Sequence, residues 1–259
     1  MSYWIRRLKM ALPALFVAFV SVFLTLLVMM PAAWIMPQFT HATGGHVNLV
    51  DPAESLWHGS ATLMLAASTD AGGATLLPGR IEWTTAFWPL FKGRVHMTMR
   101  QSEAMPDAVT VDATTRGATL SAGQIGVPAT LLAGLGAPFN TLNFEGDVRL
   151  SWTDFRVLGK NAYGQLIVTL DDMASRVSRV RPLGSYRVAL QAQGAQATID
   201  LSTSKGPLML TGNGAVSQGS TTFQGKATST PDQRENLAGL LNLLGRHTDE
   251  NTVELIFAR

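Results

Sequence analysis

From Met10 to Met30 the chain carries twenty-one residues, MALPALFVAFVSVFLTLLVMM, without a single charge. At roughly 1.5 Å per helical residue this run covers about 30 Å, the thickness of a bilayer's hydrocarbon core. It is the only long apolar run in the sequence, so it predicts one crossing and fixes where the rest of the chain must fold. A cleaved signal peptide would need an apolar core of about 7–15 residues and a small-residue cleavage site. Here the core is longer, and Met29-Met30-Pro31-Ala32-Ala33-Trp34 sets bulky residues where small ones are required. Thr40-His41-Ala42 is a feeble second candidate, so the run reads as an uncleaved anchor. Pro13 lies in the first turns, where proline costs a helix least, and Trp34 suits the far interface. Arg6, Arg7 and Lys9 precede the run and no acidic residue occurs before Asp51, which predicts a cytoplasmic N-terminus. The expected layout is a tail over 1–9, an anchor over 10–36 and a translocated body over 37–259.

Of the 20 lysines and arginines, three precede the anchor, leaving 17 against all 18 acidic residues in the body. A body near −1 offers no electrostatic footprint for nucleic acid. Charged residues make up 15% of the chain and glycines number 24, which suits a β-rich domain with many turns better than a helical bundle. Cysteine is absent, excluding disulfides, thiol chemistry and cysteine-ligated metals. Stability must come from packing, for which about 220 residues suffice.

After Pro37 the dominant pattern is period-two alternation broken by Gly, Asn, Asp and Pro. It predicts strands over Ala61–Ala67, Gly79–Thr84, Arg94–Arg100, Ala108–Ala113, Asp147–Trp152 and Gly164–Leu170. Further strands are predicted over Tyr186–Ala192, Ala197–Ser202, Pro207–Thr211, Ser220–Ala227 and Thr252–Ala258. Their short connections favour antiparallel neighbours. Two helical interruptions are expected. Pro128–Leu135 is short; the other follows Thr230, with Thr230 as N-cap, Pro231 at the first position and Gln233 as capping-box partner. Its stripe of Leu237, Leu240, Leu241 and Leu244, stopped by Gly245, makes it a C-terminal amphipathic helix over a sheet face or end. The fold class is therefore mainly β, an antiparallel curved sheet behind one transmembrane helix. Gly136–Asn143 could divide it into halves, 41–136 and 137–259.

No constellation of catalytic residues emerges. His41, His46, His58, His96 and His247 form no metal-binding spacing, and His41 with His46 reads as a loop. No G-x-S-x-G occurs. Ser202-Thr203-Ser204-Lys205 fits S-x-x-K but ends a strand where that motif requires a helix start. Gly212-Asn213-Gly214 fails the dinucleotide spacing, and Asn213-Gly214 reads as a hairpin turn. Asp171-Asp172 reads as a solvated turn ending a strand, with no further oxygen ligands for a cation. Trp57, Trp83, Trp88 and Trp152 sit near alternating apolar residues; core packing is the first reading for all four, and an exposed partner or lipid surface the second.

Several stretches do resemble a known family. Ser55-Leu56-Trp57-His58-Gly59-Ser60-Ala61 resembles the signature that follows the anchor in the type II secretion system protein N family. Arg80-Ile81-Glu82-Trp83 and Trp88-Pro89-Leu90-Phe91-Lys92-Gly93-Arg94-Val95 look like its next segments. Leu120–Ala122, Val127–Ala129 and Leu131–Gly136 continue the likeness, as do Arg181-Pro182-Leu183-Gly184-Ser185-Tyr186, Gly206–Leu208 and Leu240–Arg246. The positions carried over, as structural ones, are Trp57, Gly59, Trp83, Pro89, Gly93, Pro182, Gly184, Tyr186, Gly206 and Gly245. The texture is more loosely similar to AsmA-like envelope proteins.

This resemblance implies a single-pass protein of the bacterial inner membrane with a periplasmic body, without enzymatic activity or cofactor. It would serve the general secretion pathway, which exports folded proteins through the outer membrane. The implied partners are the secretin and inner-membrane platform subunits, with membrane lipid reached through the anchor and no nucleic acid. The AsmA-like likeness implies instead a lipid-handling module with an apolar groove. An open trough lined by Leu63, Leu65, Ile167 and Leu170 would favour it, whereas covering of those residues would favour a partner-binding subunit.

Overall fold

The structure, a computed structural model, describes residues 17–22, 25–26, 29–66, 74–136, 139–217, 220–249 and 252–258. Arg6, Arg7, Lys9 and much of the Met10–Met30 run lie outside the described residues. Residues 17–22 and 25–26 are helical, with the Thr25 hydroxyl donating to the Ser21 carbonyl at 2.8 Å. Among the described residues no helix is long and apolar enough to cross a membrane.

The body is built on one antiparallel sheet, of seventeen strands among the described residues. In chain order these are β1 (Val47–Glu54), β2 (His58–Leu65), β3 (Thr75–Leu76), β4 (Ile81–Ala86), β5 (Arg94–Arg100) and β6 (Val109–Thr114). Then come β7 (Gly117–Leu120), β8 (Gly123–Pro128), β9 (Phe144–Trp152), β10 (Phe155–Leu158), β11 (Asn161–Ser175) and β12 (Gly184–Gly194). The last are β13 (Gln196–Lys205), β14 (Leu208–Ser217), β15 (Ser220–Ser229), β16 (Arg246–Asp249) and β17 (Thr252–Ala258).

Nearly every strand pairs with its sequence neighbour, so the sheet is a meander running from β1 to β15. β7 and β8 lie end to end and meet β10 and β9 in one unbroken register, Leu120 opposite Phe155 and Gly123 opposite Trp152. β9 and β10 together form a long hairpin with β11, turning at Gly159-Lys160. This places β8 and β9 side by side across the Gly136–Asn143 stretch. β17 breaks the sequence order by entering between β15 and β16. Among the described residues the sheet edges are thus β1 on one side and, on the other, β16 with the part of β17 beyond it.

Cross-strand partners share a face, because side chains alternate with period two. The pairs Leu49–Leu63, Met97–Val111, Leu150–Ile125, Leu170–Tyr186 and Leu190–Ile199 fall on one face, the covered one. Three segments pack against it. Residues Ala32–Ala42 lie over the first strands, where Ala32 and Met36 meet Ala61, Trp83, Leu49, Met97 and Met99. The Ala129–Leu135 turns bring Ala129 and Leu132 onto Val148, Met173 and Tyr186. The helix Arg234–Leu244 buries Leu237, Leu240 and Leu241 against Leu183, Leu208, Ala227 and Val253. Its leucine stripe is the one read from the sequence, and it covers a sheet face as expected.

Elsewhere the structure corrects the sequence reading. The short helical interruption expected over Pro128–Leu135 is present, wound as a 3₁₀ helix over Ala129–Leu135. Thr230 precedes Pro231 in extended geometry but makes no side-chain cap bond, and the Gln233 side chain turns toward Asn236 and Asp232. Met36–Ala42 is helical and includes His41, which the sequence reading placed in a loop. Asn213-Gly214 lies mid-strand in β14, Asn213 facing Asp200 on one side and Gln224 on the other. Asp171-Asp172 lies inside β11, at a bulge where Asp172 adopts φ 47°. Ile167 and Leu170 are three residues apart and face opposite sides, so they cannot line one trough.

Candidate functional site

The register puts several turns at one end of the sheet. β1 and β2 are joined there by Ser55-Leu56-Trp57, and β4 and β5 by the 3₁₀ segment Trp88–Lys92. The backbone N–H of Thr85 donates to the Trp57 carbonyl at 2.7 Å, and both the Thr85 hydroxyl and the Trp83 indole donate to the Leu56 carbonyl. The Leu56 N–H in turn donates to the Met30 carbonyl at 2.9 Å, and Pro31 bridges Ser55. The chain therefore enters the body directly beside these two turns.

The Trp88–Lys92 segment owes its shape to two residues. Pro89 stands at the start, where a missing N–H costs nothing, and Gly93 closes the segment in the left-handed conformation at φ 65°. Phe87 anchors it, stacking edge-on against Trp57 with ring centroids 5.1 Å apart. Trp88 and Phe91 project outward, 79% and 70% exposed. This overturns core packing for Trp88, while Trp57 and Trp83 are buried as expected and Trp152 is half-buried.

Gly59 sits opposite Trp83, whose ring lies where a Cβ would stand. The same arrangement recurs between Gly123 and Trp152, and between Gly214 and Phe223. Laying an aromatic ring over a cross-strand glycine shields the bare backbone and fixes the register.

At the other end of the sheet, Pro182, Gly184, Tyr186 and Gly206 form a second group. The Arg181–Pro182 bond is cis. Leu183 donates to the Met173 carbonyl and accepts from the Leu208 N–H, tying three strands together. Gly206, at φ 119°, packs directly on the Gly184 backbone, leaving no room for a side chain. The buried Tyr186 hydroxyl donates to the Leu208 carbonyl at 3.0 Å, and burial pushes its pKa up. Gly245 is extended, with the Glu254 carbonyl where a Cβ would be.

Little of this can do chemistry. Lys205 of the S-x-x-K stretch is bound by the Asp172 carboxylate at 2.8 Å, which raises its pKa. A lysine acting as base or nucleophile needs the opposite shift. His96 pairs with Asp112 at 2.9 Å across β5 and β6, both half-exposed. Among the described residues no group of three or more potential metal ligands occurs. A depression of about 570 Å³ over β13–β15 is lined by Asp200 as its single charged residue.

The sequence reading missed the cationic character of the first end. Lys92, Arg94, Arg116 and Lys160 all lie in its turns, each beside a glycine or one residue from it. That Lys/Arg-Gly adjacency at strand junctions was the available signal.

The model of the family described as "Type II secretion system (T2SS), protein N" matches residues 45–254. No curated protein and no solved structure matches the chain.

Proposed function

The chain belongs to the type II secretion system protein N family, and from that premise we propose that it is a non-catalytic inner-membrane subunit of the general secretion pathway. Its body would stand in the periplasm, held by the Met10–Met30 span, and contact the secretin or inner-membrane platform subunits. The observation that carries this reading is that the family match is almost coextensive with the sheet, β1 to β17. This ties the proposed role to the sheet body.

An open sheet offers strand addition as a docking mode, with main-chain bonds giving affinity. β1 suits this poorly: Pro52 and a bulge interrupt it, with Asp51 and Glu54 at positive φ. β16 is four residues long and pairs β17 only as far as Glu254, so that among the described residues Leu255–Ala258 is paired on one side, by β15. That free stretch of β17, with Ile256 66% exposed, is the better template for a partner strand.

A second reading, lipid handling of the AsmA-like kind, draws on the covered face. Leu166, Leu190, Ile199, Val216 and Phe223 are half-buried there and belong to none of the three packed clusters. Deletion of the protein followed by a secretion assay, with crosslinking from Leu255 and Ile256 in cells, separates the two. Loss of secretion with capture of secretin or platform subunits is the expected result. Unimpaired secretion, with capture of lipid alone, would sink the first reading and leave the second.

A further inference from the structure

We propose that the first end of the sheet docks onto the anionic surface of the same membrane that the Met10–Met30 run enters, inserting Trp88 and Phe91 at the lipid–water interface. The proposal rests on the reading of that run as a span. Three independent observations point to a lipid surface as the occupant.

The first is continuity. The Met30 carbonyl, at the end of the apolar run, is hydrogen-bonded to Leu56, so the turns at this end begin where the span would leave the bilayer. Trp57 then links Leu56 to Phe87 and the Trp88–Lys92 segment through ring contact. The second is shape and chemistry. Trp88 and Phe91 contact each other, centroids 5.9 Å apart, and both are mostly exposed on a tight, proline-started turn. Aromatic rings at headgroup depth are favoured because one part is apolar while the rim tolerates water.

The third is charge. Arg94 faces Thr114 across β5 and β6, and Gly117 faces Leu158 across β7 and β10, so four turns form one rim. Over residues 54–58, 87–94, 114–117 and 158–161 the cations are Lys92, Arg94, Arg116 and Lys160, while Glu54 is the single anion. The ion pairs found among the described residues involve none of these four cations. A body near −1 overall has thus gathered positive charge where the chain arrives. Each such charge near an anionic leaflet favours docking about five-fold.

The test uses the full chain in phosphatidylethanolamine–phosphatidylglycerol vesicles. Absence of cysteine allows one spin label at a time. Labels are placed through Phe91→Cys, through Leu243→Cys on the helix at the opposite end, and through Val17→Cys within the run. Docking predicts that position 91 collides with oxygen in preference to a water-soluble nickel chelate, and position 243 the reverse. An aqueous position 91 with a lipid-buried position 17 overturns docking and leaves the span standing. A lipid-buried position 91 with an aqueous position 17 supports docking and overturns the span. A label at 91 shielded from both relaxants reports a protein partner and overturns docking. Adding Lys92→Gln should lower the ratio of lipid-buried to aqueous label about five-fold in these vesicles and leave it unchanged in phosphatidylcholine. An equal change in both would overturn the anionic-surface part.

Discussion

Trp83 and Trp152 occupy equivalent places in two parts of the sheet, and the difference between them shows what a covering segment adds. Each ring lies over the glycine opposite it, Gly59 or Gly123. Each indole donates to a carbonyl two or three residues before that glycine, Leu56 at 3.2 Å or Ser121 at 2.9 Å. Yet Trp83 is 5% exposed beneath Ala32 and Met36, while Trp152 is half-buried and belongs to no packed cluster. The local device is the same; the Ala32–Ala42 segment turns one copy into core. Where that segment is missing, the ring serves only as a lid on its own glycine.

The most severe way to break the parallel is truncation. Trp83→Ala should cost about 3–5 kcal/mol in urea unfolding, as for a large buried aromatic, and Trp152→Ala about 2 kcal/mol. Equal costs would mean that the covering segment contributes nothing. Next come the glycines. A Cβ on residue 59 meets the Ser55 carbonyl oxygen at 2.5 Å as well as the Trp83 ring, whereas on residue 123 the nearest atoms belong to the Val109 and Trp152 side chains. Side chains can yield and backbone cannot, so Gly59→Ala should destabilise by about 3 kcal/mol and Gly123→Ala by about 1 kcal/mol. Thermal melts of the two variants check this.

Smaller still is Trp152→Phe, which keeps the ring and leaves the Ser121 carbonyl without its indole donor, a loss of about 1 kcal/mol. The smallest effect is electrostatic. Glu145, on the same strand as Trp152, accepts from Arg176 at 2.8 Å and Arg181 at 3.3 Å. The Arg176 hydrogen bond holds its carboxyl below the usual carboxylate range. A depressed carboxylate adds stability above its unfolded value of 4.5, and that stability is lost as the pH falls through the folded value. Glu145→Gln should therefore lower the melting temperature slightly at pH 7, with the gap closing as the pH drops below 4.5. Both arginines are exposed, so screening keeps this small.

Strands with clean alternation were legible: Arg94–Arg100 and Thr252–Ala258 have the bounds their sequences suggest. So was the leucine stripe of the C-terminal helix, because a period of 3.6 stands out against a period of two. What escaped were strands carrying residues that propensity assigns to turns. β1 holds Asp51-Pro52 at a bulge, β8 reads Gly-Gln-Ile-Gly-Val-Pro, and β14 carries Gly212-Asn213-Gly214 through its middle. In β14 the reason is visible: the Phe223 ring covers Gly212 and Gly214 from the next strand, supplying from a neighbour the contact that the glycines lack. β11 runs on through Asp171-Asp172 because a bulge absorbs them and Ser185 and Lys205 engage Asp172. The cationic end was hidden for another reason. Its charges are scattered over four turns, and only the register gathers them.

The meander also sets a timetable. In β1 to β15 each strand forms its ladder with one just made, so a chain emerging N-terminus first can add hairpin to hairpin without waiting for distant sequence. Local pairing of this sort keeps loop-closure entropy low and shortens the life of sticky half-sheets. β17 alone must insert between a strand already in place and the short ribbon that precedes it. The last piece to arrive is thus the one that closes the structure, and a chain stalled before Thr252 would present the full length of β15 as an unpaired edge.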